Sequence, residues 1–332
     1  MVPYNRPKTR IGDACGTGKG AQREEGKGVM SAACYNDINV LEENAPVVGT
    51  GRFARVLRGT EATTGAPVAV KRVEVFEGNT RSEREETLRE ARVLQSMAPH
   101  LHMLRCFKTE LDRNELVLVL EWADGGDLSS ALSRRTYGVP EPTTLSVLSQ
   151  VLSALSHMHA HRILHRDVKP SNVFLSSIGH VKLGDLGLSR PLSSNTTAAE
   201  SFVGTPFYIS PERIRGEPYA YASDVWAAGC MLHELLTLTS PFYHPGLNFY
   251  TLGRAILSCD FTALRSDDFP LSAPISHQLL QRSPSARPQA SEVHAFAADS
   301  LARCPADAPS PAEELLWRNN RCTSASSSEG GG

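Results

Sequence analysis

The spacing of apolar residues changes along this chain and divides it into two regions. Between residues 47 and 121, apolar residues alternate with polar or small ones over short stretches, as in Val68-Ala69-Val70-Lys71, and this period of two is typical of β-strands. One helical pattern, over 82–97, interrupts these stretches. From residue 124 onward the apolar positions recur at the spacing of a helix face, most clearly over 143–162. The pattern predicts a small sheet with one helix, followed by a larger helical region.

Single elements can be placed within this division. Strands are expected on both sides of a glycine turn within 47–60, and again at 68–71, 103–108 and 116–121. An apolar helix is expected at 221–239. Pro274 falls inside a further helical pattern, which predicts that this helix is short.

The two ends of the chain differ from its middle. Residues 1–40 are polar and rich in Gly, Lys and Arg, which indicates a disordered tail. Residues 303–332 are Pro-rich and then Ser- and Gly-rich, which predicts a short disordered tail without its own fold. The ordered domain is expected to span 41–302, with a first lobe over 41–123 and a second over 124–302.

Composition and charge narrow the class of protein. The chain is 41% hydrophobic and 21% charged, as globular proteins are, and its net charge of -2 gives no general attraction to nucleic acid or an anionic membrane. No stretch approaches the ~18 apolar residues of a membrane helix, and the N-terminus lacks the apolar core of a signal peptide. The 7 cysteines are odd in number and lack Cys-x-x-Cys spacing. They indicate reduced thiols in a cytoplasmic or nuclear protein, not a disulfide or zinc framework.

A glycine turn between two strands gives the first candidate chemistry. Glycines let backbone N–H groups approach phosphates closely, and the aromatic residue at the tip of VVGTGRFARV, 47–56, can cap the site. Alternation places Ala69 and Lys71 on one face of the strand that follows, where Ala69 can lie against a flat base and Lys71 can reach phosphates. The candidate nucleotide-binding residues of these strands are Val48, Gly49, Gly51, Phe53, Val56, Ala69 and Lys71.

Two short segments carry the residue types that phosphoryl transfer needs. The reaction requires a carboxylate beside the acceptor hydroxyl, a cation near the migrating group and oxygen ligands for Mg²⁺. In ILHRDVKPSN, residues 163–172, Asp167, Lys169 and Asn172 supply these groups. Asp185 supplies a second metal carboxylate 13 positions after Asn172.

These segments resemble the motifs of Ser/Thr protein kinases. His165-Arg166-Asp167 with Lys169 and Asn172 is similar to their catalytic loop, and Asp185-Leu186-Gly187 is similar to the metal-binding Asp-Phe-Gly, with Leu for Phe. The glycine turn resembles their Gly-rich loop, with Ala54 at the third glycine position. The resemblance covers about residues 41–300. It implies an α+β bilobal kinase fold, with an antiparallel sheet and one helix in the first lobe, a mainly α-helical second lobe, and ATP between them.

The resemblance also implies roles for single residues. Asp167 would be the catalytic base, Asn172 and Asp185 would hold Mg²⁺, and Lys71 would be braced by a glutamate of the 82–97 helix. Glu90 fits the family register there, with Glu85 and Glu86 as competitors that more often face solvent. The backbone of Glu121 and Ala123 would face adenine.

Residues 185–212 form a long polar stretch that resembles the kinase activation segment, with Ser210-Pro211-Glu212 in place of Ala-Pro-Glu. A phosphate on this segment would pair with Arg166 and order the segment. Ser201 is the first candidate phosphosite, and Thr196 and Thr197 are alternatives. Thr205 is expected to hydrogen-bond Asp167 and Lys169 instead.

Three further residues are implied to be structural. Asp224 is expected to bond the backbone near His165-Arg166, with a helix N-cap as the alternative. Glu212 and Arg287 are expected to form a buried ion pair. By contrast, we interpret the histidines at 157, 159 and 161 as ordinary solvent and core residues, because alternate positions on a helix point apart.

Within the kinases, LVLVLEWADGGDL and SFVGTPFYISPERI resemble the NIMA-related family. The expected function is a non-specific Ser/Thr protein kinase that uses ATP and Mg²⁺, acts on proteins, and is activated by an upstream kinase or by autophosphorylation. Cell-cycle or microtubule and cilium regulation fits that family, with cytoskeletal or nuclear association. The alternatives are a pseudokinase scaffold, disfavoured because all five core motif residues are present, and a dinucleotide-binding dehydrogenase, disfavoured because a strand follows the glycines.

Overall fold

The computed structural model describes residues 40–41, 45–50, 54–74, 81–112, 115–177, 179–184, 207–305, 308, 310–311 and 314–316. The strands are β1 (Val40–Leu41), β2 (Val47–Thr50), β3 (Ala54–Glu61), β4 (Pro67–Glu74), β5 (Cys106–Asp112), β6 (Glu115–Glu121), β7 (Val173–Leu175) and β8 (Val181–Leu183). The helices are α1 (Arg81–Ser96), α2 (Leu128–Leu132), α3 (Glu141–Ala160), α4 (Pro211–Ile214), α5 (Tyr221–Thr237), α6 (Phe249–Ser258), α7 (Ser272–Leu279) and α8 (Ala290–Ala302).

An antiparallel sheet forms the first lobe, in the order β1-β3-β4-β6-β5, with β2 paired to β3. The apolar residues Val68, Val70 and Val73 of β4 are buried in it. Ala91 and Leu94 of α1 are also buried, so the helix contributes its apolar side to the core. The expected strand at 103–108 is wrong at its start, because β5 begins at Cys106 and Met103 forms only an isolated bridge with Leu183 of β8.

Helices dominate the second lobe, and α3 lies at its centre. The residues of α3 that recur at helical spacing are fully buried, namely Leu145, Leu148, Val151, Leu152, Leu155 and Met158. The helix α5 is buried along most of its length, including Trp226. The helix with Pro274 is short, as expected, since α7 has 8 residues and carries the proline in its first turn. The α+β fold class with a sheet-plus-helix lobe and a mainly helical lobe is confirmed.

Part of the segment expected to be a disordered tail packs on the second lobe. The Leu315 side chain is buried, and the Glu314 carboxylate accepts from the Arg135 guanidinium at 3.1 Å, with side-chain exposures of 9% and 7%. The expectation of a tail without structure is therefore wrong for residues 314–316. The short sequence EELL could not indicate a docking site by itself, because Arg135, the partner of Glu314, lies 179 residues earlier.

A buried ion pair connects α4 to the loop before α8. The Arg287 guanidinium donates to both Glu212 oxygens at 2.8 and 2.9 Å, and Ser223 Oγ donates to the same carboxylate at 2.6 Å. Burial alone would raise the pKa of Glu212, but the hydrogen bonds from Arg287 and Ser223 outweigh it and lower that pKa to about 2. The pairing expected from the sequence is present, and the carboxylate stays ionised.

We expect Arg287→Ala to lower the free energy of unfolding by roughly 3–5 kcal/mol, because it leaves the Glu212 carboxylate buried without its cation. Urea denaturation at neutral pH measures the change. Arg265→Ala is the matched control, since its side chain is 74% exposed beside Asp267 and should change stability by less than about 1 kcal/mol. Equal losses in the two variants would contradict the assignment of a buried ion pair.

Candidate active site

The candidate catalytic segment follows α3 in an irregular conformation. Arg162 and Arg166 both have left-handed backbone angles, with φ of 61° and 69°, which non-glycine residues adopt at a cost. A 3₁₀ turn over Pro170–Asn172 then leads into β7. Because neither helix nor strand hydrogen bonds hold residues 163–169, side chains must fix this segment.

The Asp224 carboxylate of α5 fixes it. Its side chain has 0% exposure and accepts from the backbone N–H of His165 at 3.0 Å and of Arg166 at 2.9 Å. The His159 Nε2–H and the Tyr219 hydroxyl donate to it at 2.9 and 2.8 Å. Burial by itself would raise the pKa of Asp224, but the hydrogen bond from His159 and the nearby His165 outweigh it and lower that pKa. The expected backbone contacts are present, and His159 and Tyr219 were not anticipated from the sequence.

The three candidate catalytic side chains lie in direct contact. Lys169 Nζ lies 2.8 Å from Asp167 Oδ2. Asn172 Nδ2 donates to the same oxygen at 2.9 Å and to the Asp167 carbonyl at 2.6 Å. Asp167 retains 18% side-chain exposure and Lys169 retains 32%, so solvent and a substrate can reach both.

His165 connects this segment to the end of β8. Its Nε2–H donates to the Gly184 carbonyl at 3.0 Å, and its Nδ1 accepts from the Asp167 backbone N–H at 3.3 Å. Burial lowers the pKa of His165 against the opposing effect of Asp224 and Asp167, so the ring is neutral and keeps one donor and one acceptor nitrogen. Gly184 directly precedes Asp185, which lies outside the described residues. His165 therefore positions the backbone between the two candidate motifs.

Lys71 lies on β4 between Val56 of β3 and Leu118 of β6. Its residue exposure is 5%, and burial lowers its pKa to about 8, opposed by the Asp167 carboxylate and reinforced by Lys169. The lysine and the candidate base therefore act on each other electrostatically across the cleft. An apolar cavity behind them is lined by Lys71, His165 and Leu120, among others.

Glu90 has a different partner from the one expected. The sequence predicted that it braces Lys71, but its Oε1 lies 3.0 Å from Nη2 of Arg166, and Arg166 Nη1 lies 3.4 Å from Oε2. The ion pair is partly exposed, with 27% for Glu90 and 24% for Arg166. In this structure Arg166, which was expected to bind a phosphate, therefore contacts Glu90, which was expected to brace Lys71.

The segment between the lobes is held by contacts that sequence reasoning missed. Glu121 pairs with Lys182 of β8 at 2.9 Å and accepts from the Arg105 backbone at 3.2 Å. Asp124 accepts from the backbone N–H of Ser177 at 2.8 Å. Both carboxylates thus tie the connection to the β7–β8 hairpin. Glu121 was a candidate for its backbone only, and no local sequence pattern predicts these side-chain contacts.

Several candidate residues lie near these elements or outside the described part. Val48 is exposed on β2, while Gly49 pairs with Val56 and Ala69 lies on β4 beside Arg58 and Leu120. The candidates outside the described residues are Gly51, Phe53, Asp185, Thr196, Thr197, Ser201 and Thr205.

The described donor set fits Mg²⁺ and ATP. Asn172 uses its Nδ2 to donate to Asp167, which leaves its Oδ1, a neutral oxygen of the kind Mg²⁺ binds, for a cation. Lys71 is a buried basic side chain, of the kind that phosphate oxygens can pair with. Among the described residues, no group of three or more His, Cys, Asp or Glu side chains is arranged to hold a metal ion.

Comparison with known proteins identifies the family. The protein kinase domain model matches residues 43–312. The chain belongs to the protein kinase domain family. Kinases of this family generally use ATP and Mg²⁺.

Similar kinases include members of the NIMA-related group. The chain is 34% identical over 258 residues to serine/threonine-protein kinase Nek3 of Mus musculus, covering 74% of this chain and 47% of that protein. It is 36% identical over 257 residues to Nek8 of Danio rerio, covering 77% and 36%. It is also 37% identical over 199 residues to serine/threonine-protein kinase 36 of Pongo abelii, covering 59% and 15%. The chain thus spans less than half the length of each of these kinases.

Within the described ranges, none of the helices combines the length and the apolar character that a membrane span requires.

We expect the Lys71 amine to react with an acylating reagent with a midpoint near pH 8, because burial lowers its pKa to about 8 and only the neutral amine is nucleophilic. The rate is measured by mass spectrometry of the Lys71 peptide between pH 6.5 and 10.5, with a lysine model compound, which titrates near 10.4, as the control. A Lys71 profile that follows the model compound would contradict the buried environment.

Proposed function

We propose that this chain transfers the γ-phosphate of ATP to Ser or Thr hydroxyls of proteins, as a non-specific Ser/Thr protein kinase. The observation that carries the proposal is the contact set of Asp167, Lys169 and Asn172, on a segment pinned by the buried Asp224 and facing the buried Lys71. The names of the similar proteins, all serine/threonine-protein kinases, support the same class.

Asp167 orients the acceptor hydroxyl and accepts its proton. A carboxylate suits this role because it accepts hydrogen bonds only, and its contact with Lys169 and Asn172 fixes its rotamer. Lys169 offsets negative charge on the transferred group. Positioning and charge stabilisation supply most of the catalysis in this reaction class.

Asn172 and Asp185 would hold Mg²⁺, and Lys71 would hold the α- and β-phosphates. When bound, the metal would supply positive charge for the phosphate oxygens. The backbone around Gly49 and Gly51 covers the phosphates. Glu121 and Ala123 offer backbone groups to adenine, and the salt bridge from Lys182 to the Glu121 side chain keeps that backbone in place.

The kinase is of NIMA-related type and acts on protein substrates in the cytoplasm, with cell-cycle or microtubule and cilium regulation as the process. The free thiols of the described cysteines, at 106, 230, 259 and 304, support a reducing compartment. An upstream kinase or autophosphorylation activates it.

Activation operates through Arg166. Phosphorylation of Ser201, or of Thr196 or Thr197, provides a dianion that pairs with the Arg166 guanidinium more strongly than the Glu90 carboxylate does. Glu90 is then released and can brace Lys71. In this proposal the Glu90–Arg166 ion pair, at 3.0 Å, belongs to the kinase before activation.

Asp167→Asn should reduce phosphorylation of a generic Ser/Thr protein substrate by about 10²–10⁴-fold, because the amide cannot take the hydroxyl proton. The measurement is phosphate transfer with ATP and Mg²⁺, with acceptor sites mapped by mass spectrometry. Asp267→Asn, whose carboxylate is 87% exposed, is the control and should keep full activity. A wild-type protein that binds ATP but transfers no phosphate, even with Ser201→Glu, would favour the pseudokinase alternative.

Removal of Arg166 should abolish the response to phosphorylation. We expect phosphatase treatment to lower wild-type activity, and Arg166→Ala to have the same activity before and after treatment, since no cation then reads the phosphate. The variants Ser201→Ala, Thr196→Ala and Thr197→Ala identify the site. Only the variant that lacks the phosphorylated residue should have the low activity of the phosphatase-treated wild type. A full phosphatase response in Arg166→Ala would refute the exchange of partners.

A further inference from the structure

Five imidazole rings form a continuous row where the loop after α1 meets the second lobe. The ring centroids are 4.5 Å apart from His161 to His157 and 4.8 Å apart from His157 to His100. They are 5.8 Å apart from His100 to His102 and 5.9 Å apart from His102 to His180. The row joins three segments: the end of α3, the loop between α1 and β5, and the β7–β8 turn.

Hydrogen bonds hold three of the rings to backbone carbonyls. His157 Nε2–H donates to the Ala98 carbonyl at 3.1 Å, which links α3 to the loop after α1. His102 Nδ1–H donates to the Val181 carbonyl at 3.1 Å, which links that loop to β8. The His161 Nδ1–H donates to the His157 carbonyl at 2.8 Å.

His100, at the centre of the row, uses one nitrogen as an acceptor. Its Nδ1 accepts from the His102 backbone N–H at 3.2 Å, and its Nε2 lies 3.3 Å from Ser153 Oγ. A proton on Nδ1 would replace this acceptor with a donor aimed at another donor. The contact therefore exists only when the ring is neutral.

Basic side chains surround the centre of the row. His294 of α8 and Lys182 of β8 act on both His100 and His102, and the acidic partner on that side, Glu121, is already paired with Lys182 at 2.9 Å. Burial, followed by His157, His102, His294 and Lys182, lowers the pKa of His100 from 6.5 to about 4. Burial likewise lowers the pKa of His102.

We propose that the histidine row is a proton-sensitive junction, in which closely packed uncharged rings join the loop after α1 to α3 and β8. Acidification places like charges on neighbouring rings and removes the His100 Nδ1 acceptor that shapes the loop, and this releases the loop. The same loop pairs with β8 through Leu183 N–H to His102 O at 2.8 Å and Leu104 N–H to Leu183 O at 2.9 Å. It connects α1, with Glu90, to the lobe that carries Asp167. Release therefore uncouples α1 from the catalytic segment and leaves the helical core folded.

The direction of the pH effect follows from proton binding. Above about pH 6.5 the ring is neutral in both the folded and the unfolded chain, so its contribution to stability is fully present. Between about pH 6.5 and 4, His100 binds a proton in the unfolded chain but not in the folded one, and its contribution is lost as pH falls. At about pH 5.5, protonation of His100 favours the open state by up to about tenfold, because its pKa is 6.5 when open and about 4 when closed.

Hydrogen exchange of the full chain at about pH 7.5 and 5.5, corrected for intrinsic rates, tests the proposal without relying on kinase activity. We expect peptides covering 97–105 and 176–184 to lose protection by up to about tenfold at the lower pH, while α5 stays protected. His100→Asn keeps an acceptor near the Nδ1 position but cannot be protonated, so its loss should be smaller than in the wild type. His277→Asn, on the exposed side of α7, is the matched control and should behave as the wild type does.

Equal loss of protection in wild type and His100→Asn would overturn the proposal. If His100→Asn fails to fold, the wild-type histidine resonances decide the question by NMR titration. Titration midpoints of His100 and His102 that lie clearly below about 6.5 support the junction, and midpoints at about 6.5 overturn it.

Discussion

The geometry of the candidate site depends on a single carboxylate that water does not reach. Asp224 accepts two backbone N–H groups, from His165 and Arg166, in a segment whose backbone is left-handed at Arg166. Strained backbone of this kind costs on the order of 1–3 kcal/mol and persists only where the surroundings determine it. Four donors to one buried, ionised side chain provide that determination, because each charged hydrogen bond is worth about 1.5–3 kcal/mol. The helix α5 thus holds the segment in place through Asp224 in its first turn.

From that anchor the contacts extend outward in a fixed order. His165 carries the constraint to Gly184, and β8 carries it to the loop after α1 through Leu183. Lys182 on the same strand then holds Glu121 in the connection between the lobes. The three-residue strand β8 and Gly184 directly after it therefore contact the catalytic segment, the first lobe and the connection between the lobes, so a displacement of β8 would disturb all three together.

The sequence could predict what depends on short spacing, and the structure differs where distant segments meet. Asp167, Lys169 and Asn172 lie within six residues of chain, so their spacing alone predicts that they lie close together. Alternation on β4 predicts the inward position of Lys71 in the same way. The partner of Glu90 depends on how α1 is oriented toward the second lobe, which no local pattern encodes. The histidines at 157 and 161 are four apart, so their rings meet on one helix face, but their contact with His100 and His102 needs the tertiary fold. The docking of Leu315 and Glu314 likewise depends on a residue far earlier in the chain.

The two partners available to Glu90 differ in what the ion pair is worth. With Arg166 the pair is about a quarter exposed on both sides, and pairs of that kind contribute roughly 0–1 kcal/mol. Lys71 is almost fully buried, and the fall of its pKa to about 8 records how unfavourable its charge is there. The proposed exchange of Glu90 from Arg166 to Lys71 would therefore give up only a weak ion pair. An arrangement held by so weak an ion pair can be displaced by a modest competing charge, and this makes Arg166 a suitable point for control.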